Sequence, residues 1–424
     1  MRTLSILLAL IFASAAPAQE LHWSGYVKFF AHPNLNSPYL LDRYGTRVQL
    51  ALSHSVSERA NFYAAVNVNL EENRTTGLAS EPRSAITEIY PVEVYIDLHW
   101  ENADLRLGKQ FIFWGRADWV NPTDNITPWD FVNITAELED YRLPVSALRL
   151  DMFPGNWNLQ FVLVPFFKPN RIPMRFPDSL GGLPVLQPPA DLPDSRLKNW
   201  QFGLKADSYL AGFDFSLSYW QGFDLFPSFY VSARIPEGGL FPDALVFQER
   251  FHRVRVLGAD FSRSFDRLAI KGEAAYFRTE DRTGDNIFIK NAHLRYVVGM
   301  DYNFSDRLSA NLQFVQEILF DYSADRERRL RHAAGDPSPD VADRITNSAS
   351  TRLHYSPSDF WDLQLIGVLN FADRDVFLLP IINYSFADGL NIYAGATLFR
   401  GPADSPFGRN KKYSRAFFEV KYSF

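Results

Sequence analysis

Side chains of opposite character alternate along most of this chain. Phe62, Ala64, Val66, Val68 and Leu70 are interleaved with Tyr63, Ala65, Asn67, Asn69 and Glu71, and Val92, Val94, Ile96, Leu98 and Trp100 with Glu93, Tyr95, Asp97 and His99. The pattern returns at Leu308, Ala310, Leu312 and Phe314, and at Trp361, Leu363 and Leu365. A period of two sends one set to each face of a strand, whereas a helix repeats its apolar positions every three or four residues. Strands are expected at 21–31, 43–53, 60–71, 88–100, 103–114, 144–153, 156–167, 197–207, 210–221, 249–262, 266–278, 290–304, 307–320, 347–356, 360–371, 375–386, 389–400 and 413–424. That is about eighteen, an even number, as in antiparallel barrels that cross bacterial outer membranes.

The connections carry a second rhythm. Short turns fall at 55–59, 101–103, 154–156, 207–212, 264–267, 305–307, 356–359 and 387–389, and longer segments such as 115–142, 168–196, 222–248 and 321–346 lie between them. Barrels of this class have short periplasmic turns and long outside loops. The pattern therefore predicts an all-β fold: a transmembrane, antiparallel, up-and-down β-barrel of about eighteen strands with both termini periplasmic. One stretch reads badly. Val254 and Val256 lie on one parity and Leu257, Ala259 and Phe261 on the other, so a bulge is expected between Val256 and Leu257. The face of Arg253 and Arg255 is left open, and the first four residues of the stretch Gln248 to Arg263 are open to belonging to the preceding loop.

The ends fit an exported barrel. Met1, Arg2 and Thr3 precede an apolar run from Leu4 to Ala13 and a small-residue stretch ending at Ala18, the order of a cleaved signal peptide over residues 1–18. The barrel domain is then 19–424. With alternation starting by about residue 21, no room is expected for a plug domain ahead of it. At the other end Ala416, Phe418, Val420, Tyr422 and Phe424 share one face. This resembles the closing strand of outer-membrane barrels, and the resemblance implies that the barrel-assembly machinery reads the segment ending in Phe424.

Composition narrows the classes. Aromatic residues make up 15% of the chain while mean hydropathy is only -0.18, as expected when lipid-facing and lumen-facing residues alternate and aromatics gather at the interfaces. The absence of cysteine excludes disulfides and thiolate chemistry, and a net charge of -6 argues against a nucleic-acid partner. No histidine sits in a metal-ligand spacing and no nucleophile-elbow or phosphate-cradling motif occurs, so neither an enzyme nor a cofactor is expected. Asp97 and His99 share one strand face, but side chains two apart on a strand stand side by side and make a weak catalytic candidate.

Residues 115–142 form the third outside loop, a candidate for folding inward to constrict a pore; the other reading is a self-packed surface loop over the mouth. Pro122 and Pro128 restrict its backbone, Asp118, Asp124 and Asp130 suit turn caps, and Trp119, Trp129 and Phe131 can pack on the wall. Around it run Leu105 to Gln110, Trp114-Gly115, Asn121-Pro122-Thr123-Asp124, Glu139 and Arg142-Leu143-Pro144-Val145. This order resembles that of porin-like outer-membrane proteins distantly similar to alginate-export channels; it covers about a tenth of the chain and implies an 18-stranded channel without naming a solute.

Alternation places cations including Lys28, Arg47, Arg106, Arg149, Lys205, Lys271, Arg295, Arg352, Arg415 and Lys421 on the lumen face. Against them stand Glu93, Asp97, Asp104, Asp151, Asp207, Asp214, Glu273, Asp301, Glu317, Asp362 and Glu419. The balance predicts pairing across strands more than strong ion selectivity. Candidate channel-lining residues are Arg47, Arg106 and Arg149 on the wall with Arg116, Asp118, Asp124 and Asp130 on the loop. The proline-rich segment 168–196 reads as a stiff extended loop. The run Arg326 to His332 is either a solvated face or a contact for lipopolysaccharide phosphates.

The expected function is passive passage of small hydrophilic or organic solutes through the outer membrane of a Gram-negative bacterium, in contact with membrane lipid and lipopolysaccharide. The alternatives are a sleeve or docking component of an export or electron-transfer complex and, further off, a barrel hydrolase.

Overall fold

The computed structural model describes residues 21–36, 39–73, 84–118, 120–172, 179–236, 241–333, 341 and 343–424. The expected signal peptide and Trp119 lie outside the described residues. Eighteen strands form one antiparallel meander: β1 Leu21–Pro33, β2 Leu41–Ser57, β3 Ala60–Asn73, β4 Ser84–Trp100, β5 Ala103–Gln110, β6 Val145–Met152, β7 Trp157–Val164, β10 Gln201–Leu210, β11 Phe213–Phe223, β14 Arg253–Phe265, β15 Leu268–Arg278, β16 His293–Ser305, β17 Leu308–Leu319, β18 Ile345–Ser358, β19 Trp361–Asn370, β20 Asp375–Ala387, β21 Leu390–Arg400 and β22 Arg415–Ser423. The last strand pairs with the first, from Tyr26–Ser423 to Ala31–Phe418, and Gly25 and Phe424 exchange two backbone hydrogen bonds of 3.0 Å. Closure leaves the sheet without an edge, as a strand wall in lipid must be.

Burial is inverted relative to a soluble protein. Phe418 is 50% exposed, whereas its neighbour Glu419 is 1% exposed. Leu50, Leu107, Leu217, Leu257, Val298 and Leu312 stand out from the wall; Lys28, Asn69, Lys271, Glu273 and Gln313 are buried inside it. Trp100, Trp157, Tyr209, Phe265, Phe304, Trp361, Phe386 and Phe424 are exposed at the end of the short turns, an aromatic girdle at one membrane interface.

The strands depart from the expected boundaries in informative places. The β10–β11 hairpin turns at Ala211-Gly212, both with positive φ (54° and 84°), so its strands lie a few residues later than alternation places them. There is no bulge between Val256 and Leu257: the pairing of β14 with β11 and β15 is continuous. Both parities of β14 are apolar because Leu257 and Phe261 face out while Val254 and Val256 are buried inside with Ile112, Trp114 and Trp220. Residues 248–251 precede β14, as one of the sequence readings has it.

The segment 168–196 is not simply extended. It forms a hairpin, β8 Ser179–Leu180 and β9 Leu183–Leu186, and β9 pairs in parallel with β13 Ala244–Arg250, itself paired with β12 Ser228–Arg234 of the next long loop. Two adjacent loops thus complete a four-stranded sheet of their own.

Candidate functional site: a loop across the lumen

The fifth strand stops at Gln110, four residues earlier than expected, because Phe111 to Trp114 leave the wall. Thr127 fixes this departure: its hydroxyl accepts from the Ile112 N–H (2.9 Å) and donates to the Ile112 carbonyl (2.7 Å). Trp114 Nε1 donates to Gln160 of β7 (2.6 Å), and the buried indole packs edge-on to Trp220. Gly115 then adopts φ of 90°, open to glycine and strained for other residues.

Beyond Gly115 the chain meets a wall of acids. Asp260 of β14 and Glu273 of β15 are direct cross-strand neighbours. Two carboxylates at such positions repel unless cations or donors face them. The loop supplies both. The backbone N–H groups of Arg116 and Ala117 and the Thr123 hydroxyl donate to Glu273, and Arg116 Nε donates to Asp260 at 2.6 Å. Asp118 reaches Lys271 of β15 at 2.5 Å.

The other end of the loop reverses the charges. Lys421 of β22, Lys28 of β1 and Arg47 of β2 stand in one row across three neighbouring strands. Asp140, in the short helix Leu138–Tyr141, binds both Lys28 Nζ (2.5 Å) and Arg47, and Glu137 binds Lys28 (3.2 Å) and Lys421 (2.5 Å). Burial pushes the Asp140 carboxyl up, but Lys28 and Arg47 outweigh it and hold the group well below the usual carboxylate range. Between the two ends, Ile134 and Ala136 pack on an apolar lumen patch formed by Ile366, Phe377, Leu379, Ile381 and Phe417.

In the ring order, β14 lies nine strands from β1, half the circumference. The loop is therefore tied to opposite sides of the barrel. It separates a cavity of about 550 Å³ toward β2–β4, lined in part by Arg43, Asn67, Tyr90, Lys109 and Lys168, from one of about 480 Å³ toward β18–β20, lined by Asp118, Arg352, Gln364 and Ile381 among others.

The seven candidate lining residues take distinct places. Arg47, Arg116 and Asp118 tie loop to wall as described. Asp124 is turned into the loop, where Arg142 meets it at 2.6 Å; even so, burial pushes its carboxyl up to about 6. Asp130 accepts from the backbone N–H groups of Val132 (3.0 Å) and Asn133 (3.2 Å) and pairs with Arg171 at 2.8 Å. Arg106 and Arg149 are cross-strand neighbours, yet each is held by its own carboxylate, Asp97 at 2.7 Å and Asp151 at 2.8 Å. Each of the three wall arginines is thus matched by a carboxylate. Asp97 is taken by Arg106, and His99 by Asp104 at 2.7 Å, so the two are not brought together.

Sequence reasoning does not single out Glu137, Asp140 and Thr127 as anchors, and it names Thr123 and Arg142, whose guanidinium is stacked between Phe113 and Trp129, only as parts of a motif. A usable signal exists: β14 and β20 are apolar on both parities, which marks the wall positions that something inside must cover.

Among solved structures, the chain is similar to Acinetobacter baumannii OccAB4 (10% identity, TM-score 0.55, covering 97% of this chain and 100% of that one) and to OccAB3 of the same organism (12%, 0.53, 96% and 99%). At such identity the likeness concerns the fold alone. No curated protein matches in sequence. The closed barrel with its apolar outer face places the protein in a bacterial outer membrane. A family model described as "protein of unknown function (DUF1302)" matches residues 53–294, more than half of the chain, and the protein belongs to that family.

Proposed function

We propose that the protein is a channel for passive passage of small hydrophilic or organic solutes, narrowed by residues 111–144. One observation carries this reading: a loop tied to diametrically opposed walls leaves two cavities beside it, each with charged side chains in its lining, instead of an open bore. A polar lumen in a lipid-facing barrel holds water, and the size of its narrowest section sets what crosses. A sleeve housing another component would need the lumen that this loop occupies.

Planar-bilayer recording tests the proposal. Refolded protein should give small unitary conductance steps, and deletion of residues 118–138 should enlarge them severalfold. Absence of steps from both proteins, in any salt, rules the channel out; equal steps from both remove the loop as its constriction.

A further inference from the structure

Among the pairs of like charges that neighbouring strands place side by side are Lys28 with Arg47, Asp260 with Glu273, and Arg255 of β14 with Arg278 of β15. The first two face the lumen, and the loop brings opposite charge to each. The third faces outward.

Arg255 shares its parity with the lipid-facing Leu257 and Phe261, Arg278 shares its own with the exposed Tyr276, and both arginines are exposed. No described carboxylate pairs with either. Glu280, which lines the same cleft, is engaged by His252 at 2.9 Å. Side-by-side cations with no partner destabilise a sheet unless an anion joins them.

Their depth identifies the anion. One step toward the membrane, Tyr219, Leu257 and Tyr276 form an aligned row across β11, β14 and β15, two tyrosines flanking a leucine, as at a membrane interface. Arg255 and Arg278 lie two residues further out, roughly 7 Å toward the long-loop end. By the usual asymmetry of such barrels that end is extracellular. Gln221 pairs with Arg255 on the β11 side, Arg282 is exposed nearby, and these groups surround a cleft of about 240 Å³. Guanidinium forks match phosphate oxygens bidentately. At that depth of the outer leaflet the phosphates belong to lipopolysaccharide.

We propose that Arg255 and Arg278 clamp a lipid A phosphate of lipopolysaccharide on the outer wall of the barrel. The arginine run in the helix Ala324–Ala333 contrasts with this pair, since Arg328 and Arg331 are matched by Asp325 (3.0 Å) and Glu327 (2.7 Å) of the same helix.

The test uses the full protein in detergent, with binding of bisphosphorylated lipid A, fully dephosphorylated lipid A and inorganic phosphate measured by native mass spectrometry or ligand displacement. Wild type should retain bisphosphorylated lipid A, Arg255→Gln/Arg278→Gln should bind it at least about tenfold more weakly, and Arg328→Gln/Arg331→Gln should match wild type. Equal retention by the Arg255→Gln/Arg278→Gln protein overturns the proposal. Tight binding of inorganic phosphate alone overturns the lipid assignment. Should the double variant not fold, wild type decides: no preference for phosphorylated over dephosphorylated lipid A refutes the clamp. None of these measurements depends on whether the barrel conducts.

Discussion

Asp140 shows how much can rest on one carboxylate. It neutralises two wall cations at once, and Lys28 is 2% exposed. Breaking such a buried pair costs about 3–5 kcal/mol because the remaining charge is stranded. Asp140→Asn is expected to loosen the acidic end of the loop, seen as a larger and noisier conductance with the barrel still folded; Asp140→Glu should partly restore the quiet state. Because the folded Asp140 carboxyl lies below its ordinary value of 3.8, its contribution is complete above that value and lost as pH falls through the lower folded one. Conductance traces should accordingly stay quiet from pH 7 to about pH 4 and become unstable only below that range. Lys168 works in the opposite range. Burial, helped by Lys109 and Arg171, pushes its ammonium down to about 8. As pH rises through that value the cavity loses a positive charge, so anion preference measured by reversal potential should fall, and Lys168→Met should flatten the change.

The loop is an element that sequence reading places better than it explains. Its position as the third long connection, its prolines and its aromatics make inward folding a candidate beside a self-packed loop over the mouth. Its attachments are not legible in the same way, because Lys28 and Asp140 are separated by 112 residues and the charge rows exist only once strand register is set. The same blindness underlies the expected bulge in β14: two apolar parities read as slipped register when one of them is covered by Trp114 and Ile112. Gly115 is the hinge of the element. A Cβ there would press on the side chains of Asn121, Thr123 and Glu273 at a φ of 90°. Gly115→Ala should therefore cost about 1–2 kcal/mol locally and disturb the Glu273 cradle, read as an altered conductance distribution with an unchanged strand signal in circular dichroism.

At the scale of the molecule, period-two alternation reveals nearly all of the wall because most strands see lipid on one side and a polar lumen on the other. Where a third environment intrudes, as at the two paired long loops, the pattern no longer speaks: β8, β9, β12 and β13 carry no alternation that marks them as one sheet. Closure itself is local at the terminus, where Phe424 and Gly25 complete the ladder. Unheated protein should migrate faster on a detergent gel than boiled protein, and removal of residues 422–424 should abolish that difference by leaving β1 and β22 poorly joined.

A hoop of eighteen strands is wide and thin, and a thin hoop in a compressed sheet of lipid ovalises easily. The loop that joins opposite walls is in mechanical terms a tie beam. It resists flattening along that diameter through ion pairs at both ends, and its apolar contact with β19 and β20 adds a hold on the wall between them. Shortening it to admit bulkier cargo would soften the hoop as well as widen it, so bore and stiffness cannot be adjusted independently in this barrel.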